Sequence, residues 1–228
     1  MSNALLSLLH LTDPTLPIGG FSHSAGLETY VQQGLVNDTA SAKAFVVQML
    51  SQNLRFTDAA FVALVYEAAS NNDLQKILLL DDECTAVKLP KEIRVASNKL
   101  GLRLMKIFQP MTDNKLLNAY ALAIKNHDIL GHYCIAFSLY AYAMGISKAD
   151  ALYGFYYNAA VGFVTNAVKL VPLSQQSGQQ ILFSIHGLIG KLVKQTLAPD
   201  EALIGLCCTG FDIKSMQHER LYSRLYMS

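Results

Sequence analysis

Apolar residues recur at three- and four-residue steps through most of the chain, and that period predicts helices. Ala4 to Leu11, apolar with Ser7 and His10 interspersed, reads as a short helix. The Asn37-Asp38-Thr39 cluster supplies caps for a helix to about Leu54, with Phe45, Val46, Met49 and Leu50 on its buried side. Thr57 and Asp58 restart the pattern for Phe61, Val62, Leu64 and Val65 until Ser70-Asn71-Asn72 stops it, and a shorter helix follows from Asp73 to about Ala86. Pro90 opens an amphipathic helix over Lys91 to Gln109, with Ile93, Ala96, Leu100, Leu104 and Ile107 on one stripe. Further helices are expected over Asp113 to Asn126, His132 to Met144 and Lys148 to Val171, with Gly131 and Gly145 as carboxy-terminal caps. Pro172 breaks the chain before a helix through Ile181 to about Leu197, and Pro199-Asp200-Glu201 starts a short one. The pattern adds up to an all-α chain, one compact domain over residues 1–228 with roughly ten helices.

Between the first two helices lies a different kind of sequence, LTDPTLPIGGFSHSAGLETY from Leu11 to Tyr30. Pro14 and Pro17 favour extended chain, and Gly19-Gly20 permits backbone angles closed to other residues. A shaped turn is expected, with a helix starting at the Ser22 to Ser24 cluster and Ser22 or Ser24 as its cap. The turn is either an elaborate helix start or a functional loop.

Several faces carry a choice. From Lys88 to Lys106 six basic residues stand against the single acid Glu92, which is a solvated cationic face or a dock for an acidic partner. Gly101 inside that helix costs about 1 kcal/mol relative to alanine, so a close backbone approach is expected there. Gly154, Asn158, Gly162 and Asn166 fall every four residues along the apolar helix after Lys148, a strip suited to tight helix packing.

Composition narrows the function classes. Hydrophobic residues make up 52% and charged residues 15%, which leaves less charged surface than an independent monomer usually carries and implies a partner. A net charge of +1 argues against nucleic acid. Cys84, Cys134, Cys207 and Cys208 have no spacing of a disulfide framework or zinc site, and without a signal peptide the expected location is the cytoplasm. Ala151 to Val168 is uncharged for eighteen residues, but its amides and tyrosines favour a buried helix over a membrane span, so a membrane-associated helical protein is the weaker alternative.

Chemistry is scarce. Gly20-Phe21-Ser22-His23-Ser24 lacks the fifth-position glycine of a serine nucleophile elbow, so a hydrolase built on Ser22 is the least implausible enzyme. Gly187 to Lys191 fails as a phosphate loop at both ends. None of the six histidines belongs to a metal-binding pair at helical spacing, and His23 and His218 are the first candidates for transient metal contact.

The loop's residues Leu11, Pro14, Leu16, Pro17, Ile18, Gly19, Gly20, Phe21, Ser22, His23, Ser24, Gly26, Leu27, Glu28 and Tyr30 together resemble the amino-terminal signature of the UreF family of urease accessory proteins. Three further segments resemble that family: Glu92-x-Arg94-x-x-Ser97-x-x-x-Gly101-x-Arg103; Pro172-Leu173-Ser174-Gln175-x-x-Gly178-Gln179; and Met216-x-His218-Glu219 with Arg224-Leu225-Tyr226-x-Ser228 at the end of the sequence. Ser138 and one serine of the third segment stand where the family usually has glycine. The resemblance implies a non-enzymatic scaffold that joins the UreD (UreH) accessory protein and the UreG GTPase for nickel delivery to the urease apoprotein. It also implies a homodimer, for which the small-residue strip is one candidate seam and an ordinary core contact an equal alternative. No stably bound cofactor is expected, and nickel would be handled transiently by the complex. Expected partner-binding residues are Pro17, Gly19, Gly20, Phe21, Ser22, His23, Gly26 and Glu28 of the loop, Arg94, Ser97, Gly101 and Arg103, and His218, Glu219, Arg224, Leu225 and Tyr226 of the tail. Arg94, Arg103 or Arg224 acting on GTP hydrolysis is a weaker expectation.

Overall fold

A computed structural model describes residues 4–206 and 208–228, so Cys207 lies outside the described residues. Among these the fold is all-helical, with no strand. The helices are α1 (Ala4–Leu11), α2 (Leu27–Gln32), α3 (Thr39–Gln48), α4 (Asp58–Ser70), α5 (Leu74–Val87), α6 (Lys91–Phe108), α7 (Lys115–Lys125), α8 (Tyr133–Ala143), α9 (Lys148–Leu170), α10 (Gln175–Ser184), α11 (His186–Thr196) and α12 (Thr209–His218).

Local chemistry sets the starts. Asp38 accepts from Ser41 N at 2.7 Å while Ser41 Oγ takes the Asp38 amide at 3.1 Å, a reciprocal cap for α3. Asp73, Asn114, Ser147 and Ser174 cap α5, α7, α9 and α10 through their side chains. The expected helix to Leu54 is continuous in space, but its winding loosens over Met49–Asn53 and tightens over Leu54–Phe56. Gly145 closes α8 as expected, at φ 71° with Ile146 N bonded to Ala141 O. Gly131 does not close α7. His127 takes the left-handed position, at φ 65°, and Asp128 N reaches Ala123 O.

Two expectations about helix bounds are corrected. The stretch through Ile181 to Leu197 breaks at Ile185, and both halves, α10 and α11, pack on α9. The loop delays α2 to Leu27, because Ala25 and Gly26 both take left-handed angles, φ 52° and 76°. Gly26, not serine, precedes the helix, and the Ser24 hydroxyl lies a long 3.4 Å from Glu28 N while it donates elsewhere.

One hydrophobic cluster runs through the described residues, with α8 buried from Cys134 to Ala141 between α4 and α6. Tyr120, Tyr140, Tyr156, Phe61, Phe108 and Phe137 are its largest wholly enclosed side chains. Gly101 permits the contact of α6 with α8: a Cβ there would overlap the Gly131 carbonyl and lie 2.8 Å from the His132 carbonyl carbon. The small-residue strip of α9 is occupied within the chain at three of its four positions and open at Gly162. Gly154 receives Leu8 and Thr12 of the α1 segment, Asn158 Nδ2 donates to Thr12 O and Asn166 Nδ2 to His23 O, each at 2.8 Å. Cys84 and Cys134, unrelated by spacing, meet across α5 and α8 as free thiols 3.6 Å apart, and burial pushes the Cys134 thiol pKa up.

Candidate functional site

The loop, α6 and the tail meet at one place. Gly19, at φ 83°, precedes a single tight turn over Gly20–Ser22, which the Ser22 hydroxyl closes by donating to Gly19 O at 2.8 Å. Arg103 of α6 donates to Ile18 O at 3.0 Å, and its guanidinium occupies the space a Cβ on Gly19 would need. A Cβ on Gly26 would meet the Ser215 hydroxyl of α12 at 2.7 Å. Each glycine thus marks a place where another motif-bearing element comes too close for a side chain.

Glu28, almost wholly buried, then takes hold of the tail. Its Oε1 accepts from Leu225 N at 2.8 Å and its Oε2 from Tyr226 N at 3.1 Å. His218, fully buried on α12, sets Nε2 3.2 Å from Glu28 and Nδ1 2.6 Å from Glu92, which also accepts from Arg224 at 2.7 Å. With a carboxylate on each ring nitrogen, an imidazolium donates to both and a neutral ring to only one. Beyond it Ser22 O accepts from Met227 N, Ser24 N and Oγ donate to Ser228 O, and His23 Nδ1 lies 2.8 Å from the Ser228 hydroxyl.

The apolar residues of the tail call for burial either on their own domain or against a partner, and within the chain they are not all buried: Leu221 and Tyr226 are half-buried and the rest exposed. Its backbone is gripped while Tyr222, Leu225 and Met227 stand exposed, Tyr222 fully so, and the Met227 amide bonds Ser22 O next to exposed Phe21. The expected partner residues therefore divide. Pro17, Gly20, Phe21, Arg103, Glu219, Arg224 and Leu225 are exposed; Gly19, Gly26, Glu28, Ser97, Gly101 and His218 are buried and shape the surface from beneath; Ser22, His23, Arg94 and Tyr226 are half-buried.

A second buried carboxylate, which the sequence reading passed over, lies behind this site. Asp81 of α5 accepts from the amides of Leu130, Gly131 and His132 at 3.1, 3.2 and 3.0 Å and from the Tyr120 hydroxyl at 2.6 Å. That fixes the His132 ring between Thr85 at 2.8 Å and Ser97 of α6 at 3.1 Å. Burial, helped by Lys88 and Arg94 and opposed by Asp81, pulls the His132 pKa down to about 4. The missed signal is an acid on the apolar stripe Ile77, Leu80, Asp81, Cys84.

The cationic run of α6 is not one solvated face. Lys88 is buried against Asp58 at 2.7 Å; burial disfavours its charge, but the carboxylate outweighs that and raises its pKa, while Asp58 is held below its ordinary value by the same pairing. Arg94 donates to Lys88 O at 2.6 Å and closes the end of α5.

Reactive groupings are not formed at the expected places. The Ser22 hydroxyl donates to a carbonyl and the adjacent His23 faces the Ser228 hydroxyl instead, so Ser22 is not paired with a base. Burial, then Lys99 and Arg103, lower the His23 pKa, and these cations disfavour a metal ion beside it. The two nitrogens of His218 point at carboxylates on opposite sides of the ring, so the three groups do not converge on one ion. Among the described residues no group of three or more such donors is arranged around a metal position. Gly187 to Lys191 is plain helix in α11, and no described helix is long and apolar enough to cross a membrane.

The fold and site define an all-α protein whose motif residues bond one another across the loop, α6 and the tail. Among known proteins, the UreF family model matches residues 36–186. The chain is 50% identical over 222 residues to the urease accessory protein UreF of Actinobacillus pleuropneumoniae serotype 5b, covering 97% of this chain and 98% of that one. It is 49% identical to the protein of the same name from Haemophilus influenzae Rd, covering 97% and 94%, and 33% identical to that of Lachnoclostridium phytofermentans over the whole of both. The chain belongs to the UreF family.

Proposed function

We propose that this protein is a non-catalytic adaptor in urease maturation, which as a homodimer joins the UreD (UreH) accessory protein to the UreG GTPase so that nickel passes to the urease apoprotein within the complex. The observation that carries this reading is the tail, whose backbone is clamped by Glu28 while Tyr222, Leu225 and Met227 are left exposed. A folded chain that fixes apolar side chains in water gains nothing by itself; such anchors are what a partner's pocket desolvates. The protein's contribution is binding free energy that favours one arrangement of its partners. Arg94 and Arg103 hold backbone carbonyls of their own chain, which leaves Arg224, exposed and paired with Glu92, as the guanidinium freest to reach a partner. Nickel is cargo of the complex and has no resident site in this reading.

Deleting residues 219–228 leaves α12 whole and removes only the clamped segment. Pull-down with UreD is expected to fail for this variant and to succeed for the full chain. Undiminished capture by the shortened chain would remove the tail from the interface.

A further inference from the structure

We infer that the outer face of α6, with the groove between α6 and α7, is a second docking surface, fitted to an acidic amphipathic helix of a partner protein. Its amino-terminal end adjoins the loop–tail surface, where Lys91, Val95 and Lys99 share a pocket with His23, Glu219 and Met227, while the groove beyond Leu102 is lined by α6, α7 and the turn after Phe108; the inference does not depend on the urease assignment.

Lys91, Val95, Lys99, Leu102 and Lys106 follow one another by four, four, three and four residues, so they form one stripe of the helix. All five are exposed, Val95 at 40% and Leu102 at 39%. None of the three lysines takes part in an ion pair among the described residues. The rest of α6 is engaged: Arg94 holds the end of α5, Ser97 the His132 ring and Gly101 the start of α8, while along the edge of the stripe Glu92 holds the tail and Arg103 the loop. The helix is therefore fixed from behind, and its outer stripe is presented without loss of order.

Toward Phe108 the stripe opens into a groove of 380 Å³ between α6 and α7. Leu102, Met105, Ala121 and Ile124 line it, Lys106 and Lys125 add positive charge, and no acidic residue borders it. Leu122 and Met111, 56% and 59% exposed, extend the apolar surface nearby. An apolar floor with cationic edges is complementary to a helix that sets leucine-like anchors between aspartates or glutamates. A nucleic-acid backbone would meet apolar side chains along the middle of this face, where phosphates need cations.

The test titrates the full chain into a fluorescein-labelled synthetic helix of about 18 residues, the length of α6, with leucines at helical spacing flanked by glutamates. A peptide with glutamine for glutamate, duplex RNA and phosphatidylserine vesicles serve as parallel probes. Saturable binding of the acidic peptide is expected, weakened at least about tenfold by K99E/K106E and restored toward the chain when the peptide carries lysines for glutamates. Raising salt from about 50 to about 300 mM should weaken it as well. The charge swap keeps the experiment decisive, since a misfolded variant binds neither peptide. Absence of saturable binding at low salt, equal binding of the glutamine peptide, indifference to K99E/K106E, or binding confined to RNA or vesicles would each overturn the inference.

Discussion

Two buried carboxylates use the same device for opposite ends. Asp81 gathers three consecutive amides and a tyrosine hydroxyl inside the helix core, whereas Glu28 gathers two amides and a histidine at the edge where the tail returns. Of what Asp81 holds, Gly131, His132 and Tyr120 are buried among the helices with no water to turn to, and only Leu130 lies at the surface. Of what Glu28 holds, the Leu225 and Tyr226 amides belong to the last stretch of chain and reach solvent once released, while buried His218 keeps Glu92 as a partner. One carboxylate builds a framework, and the other closes a clasp that can open without the framework failing.

The largest effect should come from Asp81→Ala. It strands the Gly131 and His132 amides and the Tyr120 hydroxyl in the interior, and urea unfolding is expected to show a loss of about 3–5 kcal/mol. A loss under 1 kcal/mol would put the two carboxylates in the same class and break the contrast.

Next is the acid response of His132. Its folded pKa of about 4 lies below the 6.5 of an unfolded histidine, so between those values the unfolded chain binds the extra proton and stability rises with pH. The contribution is fully present above pH 6.5 and falls as pH drops toward 4, by about 2 kcal/mol at pH 5. Urea melts at pH 7 and pH 5, repeated on His132→Asn, should show the slope flattened in the variant.

Gly101→Ala tests the backbone contact that carries α6 onto α8. Overpacking costs about 1–3 kcal/mol while the gain in helix propensity returns about 1, so a net loss near 1 kcal/mol in thermal or urea unfolding is expected. Gain of stability would mean the helix crossing is looser than the overlap with Gly131 O requires.

The smallest global effect belongs to Glu28→Gln. Because the tail's amides regain water, unfolding free energy should move by less than about 1 kcal/mol. Limited proteolysis after Arg220 and Arg224 should nevertheless become faster.

The same contrast explains what could be read in the sequence. Helices with their own caps and stripes, such as α3 with Asp38 or α6 after Pro90, are written in neighbouring residues and were legible. So was the close approach at Gly101, because glycine inside an amphipathic helix has few other uses. Asp81 was not, since its partners lie some fifty positions away and an acid on an apolar stripe reads locally as a flaw. The α2 start was misplaced for a related reason: Ser24, a good local cap, spends its hydroxyl on Ser228 at the other end of the chain. Helix α12 was folded into the tail motif, because Gly210 and a polar sequence hide a helix that owes its stability to Phe211, Ser215 and His218 packing under the loop. Of the site, the motif resemblance found the participants, but only the fold shows that the buried ones position the exposed ones.

Amide hydrogen exchange read at Leu225 and Tyr226, in the full chain and in Glu28→Gln, tests the clasp most directly. The account predicts both amides protected in the native chain and at least about tenfold faster in the variant, with α8 amides unchanged in both. Random-coil exchange at those two positions in the native chain, or a loss of α8 protection together with them in the variant, would contradict it.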